Sequence, residues 1–338
     1  MAARRKSARS IANPPAVPTA EPRGEFREHA LTLPPSAAGL RFDQALARAL
    51  PQYSRARLKA WIESGAVEVD GRPLRGKDRL LGGEQVHIRA QLPAQGELRA
   101  EAMPLAIVFE DPALLVIDKP PGLVVHPGAG NPQHTLQNAL LAFDSRLALL
   151  PRAGLVHRLD KDTSGLLVIA RTLEAHTALT AALAAREISR EYLALCTGVM
   201  TGGGTVAEPI GRHRTMRTRM AVRADGREAI THYRIERRFR AHTLARVMLE
   251  TGRTHQIRVH LAHLGFPVVG DPVYGGRRRI PAGASEQLVA ALRGFPRQAL
   301  HAARLGLTHP ASGRQMHFEA PLPADMRALI GTLQRDRA

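Results

Sequence analysis

Nine consecutive residues constrain this chain more than any other stretch: His157-Arg158-Leu159-Asp160-Lys161-Asp162-Thr163-Ser164-Gly165. The run is densely charged. It is bounded by Leu155-Val156 on one side and by Leu166-Leu167-Val168-Ile169-Ala170 on the other. Short apolar runs beside a turn read as buried strand. The fold must therefore hold a charged turn at the rim of a core. Asp160 in that place is either a structural ion-pair partner or a working group. Asp162 follows too closely to form the opposed carboxylate pair of glycosidic hydrolysis, and it is assigned no role. Ser164 and His157 lack the nucleophile-elbow pattern of a serine hydrolase.

The rest of the chain falls into segments. Residues 1–36 are rich in Arg, Pro and Ala and read as a disordered basic arm. Residues 37–92 form a compact segment. Phe42, Ala45, Leu46, Ala49 and Leu50 recur at helical spacing. A second helix starts near Ser54 as N-cap, carries Leu58, Trp61 and Ile62 on one face, and stops at Gly65. Val67 to Arg72 alternates through an Asp70-Gly71 turn, a strong hairpin signal, and Gly82 to Ile88 closes the segment as a strand. Arg55, Arg57 and Lys59 lie around the exposed side of the second helix, as a solvated face or as phosphate contacts.

Residues 93–103 lack periodicity and read as a linker, and 104–330 as the main domain. Strands are expected at 105–109, 114–118, 123–126, 166–170, 192–196, 232–235 and 244–249. Helices are expected at about 134–143, 173–186, 254–264 and 285–293. Strands outnumber helices without strict alternation, which points to an α+β fold with a mixed sheet.

A second focus is Glu250-Thr251-Gly252-Arg253-Thr254-His255-Gln256-Ile257-Arg258-Val259-His260-Leu261-Ala262-His263-Leu264-Gly265. Thr254 can cap a helix and Gly265 can end it. Arg253, His255, Gln256 and Arg258 then crowd the first turn, a good receiver for a phosphate or carboxylate. His260 and His263 are one turn apart, but the pattern is not His-Glu-x-x-His, so hydrogen-bonded histidines are expected here rather than a metal site.

Charge bears on partners. The net charge is +18, which favours a polyanion. No apolar run of membrane-spanning length exists, so a membrane partner is not expected. The single cysteine, Cys196, excludes an internal disulfide and fits a reducing cytosol.

Taken in order, five stretches resemble the RluA-type RNA pseudouridine synthases: Lys119-Pro120-Pro121-Gly122-Leu123-Val124-Val125-His126-Pro127-Gly128, the Asp160 turn, Arg190-Glu191-Tyr192, Thr251 to His260, and Gly270-Asp271-Pro272-Val273-Tyr274-Gly275. The resemblance covers roughly 37–330, and its first part is similar to an S4 RNA-binding domain. It implies a mixed, mostly antiparallel central sheet and isomerisation of uridine to pseudouridine without cofactor or metal. It implies Asp160 as the catalytic carboxylate, acting at C1′, at C6 or on the 2′ proton. Arg258 is its expected partner, Tyr192 the aromatic that stacks on the flipped uracil and a candidate base at C5, and Arg158 the side chain that enters the vacated space. His126 and Lys119 are expected to shape the wall. The S4-like segment is found in members acting on large-subunit (23S) rRNA, so RNA contacts at Arg55, Arg57 and Lys59 are expected. The alternatives are a family synthase acting on tRNA or another RNA, and a non-catalytic RNA-binding assembly factor. A cytoplasmic monomer is the default.

Overall fold

The computed structural model describes residues 26–50, 55–91, 99–128, 131–216, 218–277 and 279–336. Residues 1–25 of the expected arm, the Ser54 cap, residue 92 at the end of the first segment and residues 93–98 of the expected linker lie outside them. The chain forms two compact units divided near residue 98.

The small unit runs β1 (Phe26–Thr32), α1 (Phe42–Ala49), α2 (Arg55–Glu63), β2 (Val67–Val69), β3 (Arg72–Pro73) and β4 (Gln85–Gln91). Its antiparallel sheet has the order β1-β4-β2-β3. The Asp70-Gly71 signal holds for a physical reason. Both residues sit at positive φ (49° and 72°), as a type I′ hairpin turn requires. Phe42 and Leu46 from α1 and Leu58, Trp61 and Ile62 from α2 pack with Val67, Val86 and Ile88 in one core. The arm expected over 1–36 ends too late. Phe26–Thr32 pairs with β4 along its whole length, and Pro35–Ala37 forms a short 3-10 turn. β1 is an edge strand with Glu28 and Ala30 exposed, so backbone hydrogen bonds define it rather than an apolar pattern.

The large unit begins with β5 (Ile107–Glu110), β6 (Leu114–Lys119), α3 (Leu136–Phe143), β7 (Ser164–Ala170), α4 (Leu173–Ala184) and β8 (Ser189–Thr197). It continues with β9 (Gly204–Val206), β10 (Ile210–Arg212), β11 (Met220–Val222), β12 (Thr231–Arg238), β13 (His242–Leu249) and α5 (Gln256–His263). It closes with α6 (Glu286–Gly294), β14 (Leu300–Thr308), β15 (Gln315–Glu319) and α7 (Ala324–Arg335). The main sheet has the order β5-β6-β7-β14-β8-β13-β12-β9, with β15 on β14. Among the described residues only β7 and β14 pair parallel, so the sheet is mixed and mostly antiparallel, as expected.

β7 is buried at every position, which explains its unbroken apolar run. Leu114, Val116, Leu166 and Val168 pack with Ala175 and Leu179 of α4 and with Leu305, Leu307 and Phe318. Gly165 stands at the base of the Asp160 turn with φ 113°, and a Cβ there would collide with the Ala302 carbonyl of β14. Glycine is thus required where the charged turn meets the sheet.

Four expectations about strands and bounds fail in the large unit. Leu155-Val156 is not a strand, since Leu155 makes only an isolated bridge to Ile169. Leu123–His126 is a loop rather than a strand: Gly122 turns at φ 86°, and Val124 makes only an isolated bridge to Thr135. The expected linker ends early, because the Glu101 amide donates to the Asn138 carbonyl (3.0 Å) and its carboxylate accepts from the His134 amide (3.1 Å). The domain also runs past residue 330, because Met326, Leu329, Ile330 and Leu333 of α7 are all buried.

Candidate active site

The Asp160 turn is clamped from below. The Thr163 amide donates to the Asp160 carbonyl (3.1 Å), closing the turn. Lys119, at the end of β6 and fully buried, donates its ammonium to the carbonyls of Pro120 (2.7 Å), Leu123 (3.0 Å) and Lys161 (2.9 Å). Three carbonyl acceptors use all three ammonium hydrogens. Burial pushes the Lys119 pKa down to about 7, with the charges of Asp162 and Asp160 opposing it. Arg297 donates to the Asp162 carbonyl (3.1 Å) while paired with Asp325 (2.7 Å), and the Gln298 amide reaches Thr163 Oγ1 (3.2 Å). The turn is thus held through its backbone and its side chain is left for other work.

That side chain meets Arg258. Arg258 lies in the first turn of α5 and donates Nη1 to Asp160 Oδ2 (2.9 Å). Its Nε and Nη2 bind both oxygens of Asp271 (2.7 and 2.9 Å) in a buried bidentate pair. Asp271 also accepts the amides of Val273 (2.8 Å) and Tyr274 (3.0 Å), which turns the Gly270-Asp271-Pro272 segment back onto the helix. Burial works against both charges. The hydrogen bonds and charges of the two carboxylates nevertheless hold Arg258 above the usual arginine value, and Arg258 holds Asp271 below the usual carboxylate range. The carboxylates received at this helix start are thus the chain's own.

The N-terminal cap of α5 differs from expectation. His255 occupies the cap with left-handed backbone (φ 57°, ψ 19°), and no side chain caps the helix. Gln256 is committed internally. It accepts from Thr251 Oγ1 and the Arg253 amide (both 2.9 Å) and donates to the Ile230 carbonyl and Thr231 Oγ1 (both 3.0 Å). His260 bonds Thr231 Oγ1 (2.8 Å) and the Glu208 carbonyl (2.9 Å).

Asp160 opens on a cavity of about 350 Å³ whose lining includes Tyr192, Arg158, Arg190, His126, His255 and Arg258. Arg190 and Tyr192 are two residues apart on β8 and so share its cavity face. The Tyr192 hydroxyl makes no hydrogen bond to the described residues. Burial pushes its pKa up, with the Arg190 charge opposing, so it stands as a neutral phenol. Arg190 donates to the Glu250 carbonyl (3.1 Å) and keeps a buried, unpartnered Nε. Arg158 is exposed at the rim and forms no hydrogen bond or ion pair with the described residues. His126 is half-buried in the wall, and burial followed by the charges of Arg158 and Arg152 lowers its pKa.

The structure therefore brings Asp160, Arg258, Tyr192 and Arg158 to one cavity. Of the three expected RNA-contacting residues, Lys59 is exposed and 3.5 Å from Glu63, while the side chains of Arg55 and Arg57 lie outside the described part. Of the neighbours of this pair, Asp271 and Tyr274 carried no role in the sequence reading, and His255 was read only as part of a phosphate or carboxylate receiver. All lie in quoted motifs, and the signal available was an acid and a phenol placed shortly after an arginine-bearing helix.

A family model described as RNA pseudouridylate synthase matches residues 113–263, and an S4 domain model matches 40–86. The chain is 55% identical over 306 residues to the ribosomal large subunit pseudouridine synthase D of Xanthomonas campestris, covering 90% of this chain and 92% of that one. The protein of the same name from Pseudomonas aeruginosa is 55% identical, covering 92% and 97%, and that of Escherichia coli K12 is 54% identical, covering 90% and 94%. Among solved structures, human RNA pseudouridylate synthase domain containing 4 aligns with a TM-score of 0.55 at 26% identity, covering 68% of this chain and 93% of that one. At 55% identity over nine-tenths of both chains, this chain belongs to the RNA pseudouridylate synthase family.

Proposed function

We propose that this protein isomerises uridine to pseudouridine in large-subunit (23S) rRNA, within one stem-loop, as a cytoplasmic monomer. In the reaction the N1–C1′ bond breaks, the uracil turns, and C5 bonds to C1′. The hydrogen on C5 leaves to solvent and N1 takes one up, so atoms balance within the nucleotide. The reaction is redox-neutral, and the proposal assigns no cofactor and no metal.

One observation carries the reading. Arg258 occupies one oxygen of Asp160, and the carboxylate opens on a cavity at the lower end of the range for small-molecule sites. A uridine must leave its stack to bring C1′ there. Asp160 then acts at the sugar as nucleophile or base, and Arg258 orients it. Tyr192, buried and neutral, suits a stacking surface for the base better than a proton acceptor. Arg158, exposed and without a protein partner, suits insertion into the space the base leaves. The Lys59–Glu63 contact is exposed and weak, so phosphate can displace it.

The test uses purified protein and RNA carrying uridine tritiated at C5. Tritium release from 23S rRNA fragments, with none from tRNA, supports the proposal. Release from tRNA alone reassigns the substrate. RNA binding without release from any RNA would favour a non-catalytic assembly factor.

A further inference from the structure

His255 stands where a helix cap should, in a backbone conformation that suits glycine or asparagine and strains most other residues. It gains nothing as a cap, since its side chain makes no capping hydrogen bond. The strained backbone instead places the imidazole in the cavity wall. There Nδ1 lies 2.8 Å from the Tyr274 hydroxyl and Nε2 lies 4.0 Å from Asp160 Oδ1. The rings of His255 and Tyr274 meet edge to face at 5.6 Å, and the Arg258 guanidinium lies over the Tyr274 ring at 5.1 Å.

The hydrogen bonds choose one tautomer. The Tyr274 hydroxyl accepts from the Met220 amide (2.8 Å), so its own hydrogen needs an acceptor. Among the described residues His255 Nδ1 is that acceptor. The hydrogen of a neutral imidazole then sits on Nε2, facing Asp160. Burial supports this form by lowering the His255 pKa, although the Asp160 charge opposes it. Arg258 holds Oδ2 of the carboxylate, while among the described residues only His255 faces Oδ1 as a polar neighbour, just beyond hydrogen-bond reach.

We propose that His255 is a positioning residue for Asp160. Locked as the Nε2–H tautomer by Tyr274, it donates to Oδ1 when uridine fills the cavity. Arg258 and His255 then fix the two carboxylate oxygens from opposite sides, which sets the direction in which Asp160 meets the sugar. The inference rests on the synthase reading above.

The left-handed backbone makes the test clean. Glycine accepts φ 57° without strain, so His255→Gly should fold while removing the donor and leaving a space for free imidazole. Single-turnover kinetics on the RNA that wild type modifies are expected to show a rate constant about 10- to 100-fold lower, with the half-saturating concentration nearly unchanged. Added imidazole should recover part of the rate in His255→Gly and none in His255→Phe. Tyr274→Phe should show a smaller loss of the same kind. His255→Asn, which also tolerates this backbone but whose amide donor is too short to reach Oδ1, should lose rate as His255→Gly does, separating loss of the Oδ1 donor from misfolding.

A His255→Gly rate equal to wild type overturns the inference. So does a defect confined to RNA affinity, or one that imidazole cannot relieve. A wild-type enzyme that forms no pseudouridine on any RNA is a different result, and it removes the synthase reading instead.

Discussion

Asp160 and Asp271 share Arg258, yet they do different things. The Asp271 side chain is fully buried and takes two hydrogen bonds from the arginine and two from the backbone. Asp160 takes one and opens on the cavity. Asp271→Asn leaves the buried Arg258 charge poorly compensated, and urea unfolding should show a loss of about 3–5 kcal/mol. Asp160→Asn keeps an acceptor for Arg258, and its stability loss should stay near 1 kcal/mol while activity disappears. Equal losses in the two variants would place Asp160 in the structural class. The residues alone left Asp160 open between an ion-pair partner and a working group, and the family resemblance pointed to the second; of its two apolar flanks only β7 is a strand. Asp271 was not legible, because its partner is reached only through the return of the loop after α5, which no local pattern reports.

At the level of elements, the turn is a joint between strands that are distant in sequence. β7 enters from the Asp160 turn and β14 lies parallel beside it, with His301 opposite Ser164 and Ala302 opposite Gly165. Gly165→Ala must separate them or distort the turn. The expected outcome is a fall in stability of about 2–4 kcal/mol and a lower rate, seen together in unfolding and activity measurements. Gly71→Ala, in the isolated hairpin turn of the small unit, should cost about 1 kcal/mol and leave the catalytic rate unchanged.

The elements that local pattern could reveal were revealed: the two small-unit helices, the Asp-Gly hairpin, β6, β7, β13, α4 and α6. Those it missed are defined by long-range pairing or by side chains at a distance. β1 is a polar edge strand. Leu123–His126 looks like strand, but the Leu123 carbonyl accepts from the Lys119 ammonium and the Val124 and Val125 carbonyls accept the Leu136 and Gln137 amides at the start of α3 instead of joining a ladder. β14 has an apolar pattern, yet its place between β7 and β8 depends on partners more than 100 residues away in the chain.

For the whole molecule, charge and buried histidines set the response to solution conditions. Burial lowers the pKa of His242 to about 4, and burial with the Arg190 charge lowers that of His157 to about 3, against an ordinary 6.5. His157 Nε2 accepts the Val168 amide (3.1 Å), a bond only the unprotonated nitrogen can make. Below pH 6.5 the unfolded chain therefore takes up protons before the folded one does. The contribution of these two histidines should be fully present above pH 7, decline as pH falls below 6.5, and be lost near pH 3–4. His242 alone should contribute on the order of 2–3 kcal/mol to that decline, read from melting temperature against pH. The net charge of +18 predicts RNA affinity that falls steeply with salt, while the single-turnover rate at saturation changes little.

The central claim is that Asp160, held by Arg258, performs uridine isomerisation on large-subunit rRNA. Its most direct test is site-resolved pseudouridine mapping of total RNA from cells lacking the gene, complemented with wild type or with Asp160→Asn. The account predicts that marks in one large-subunit stem-loop vanish, return with wild type, and stay absent with Asp160→Asn although that protein accumulates and binds RNA. Marks restored by Asp160→Asn, or no mark lost in any RNA, would contradict it.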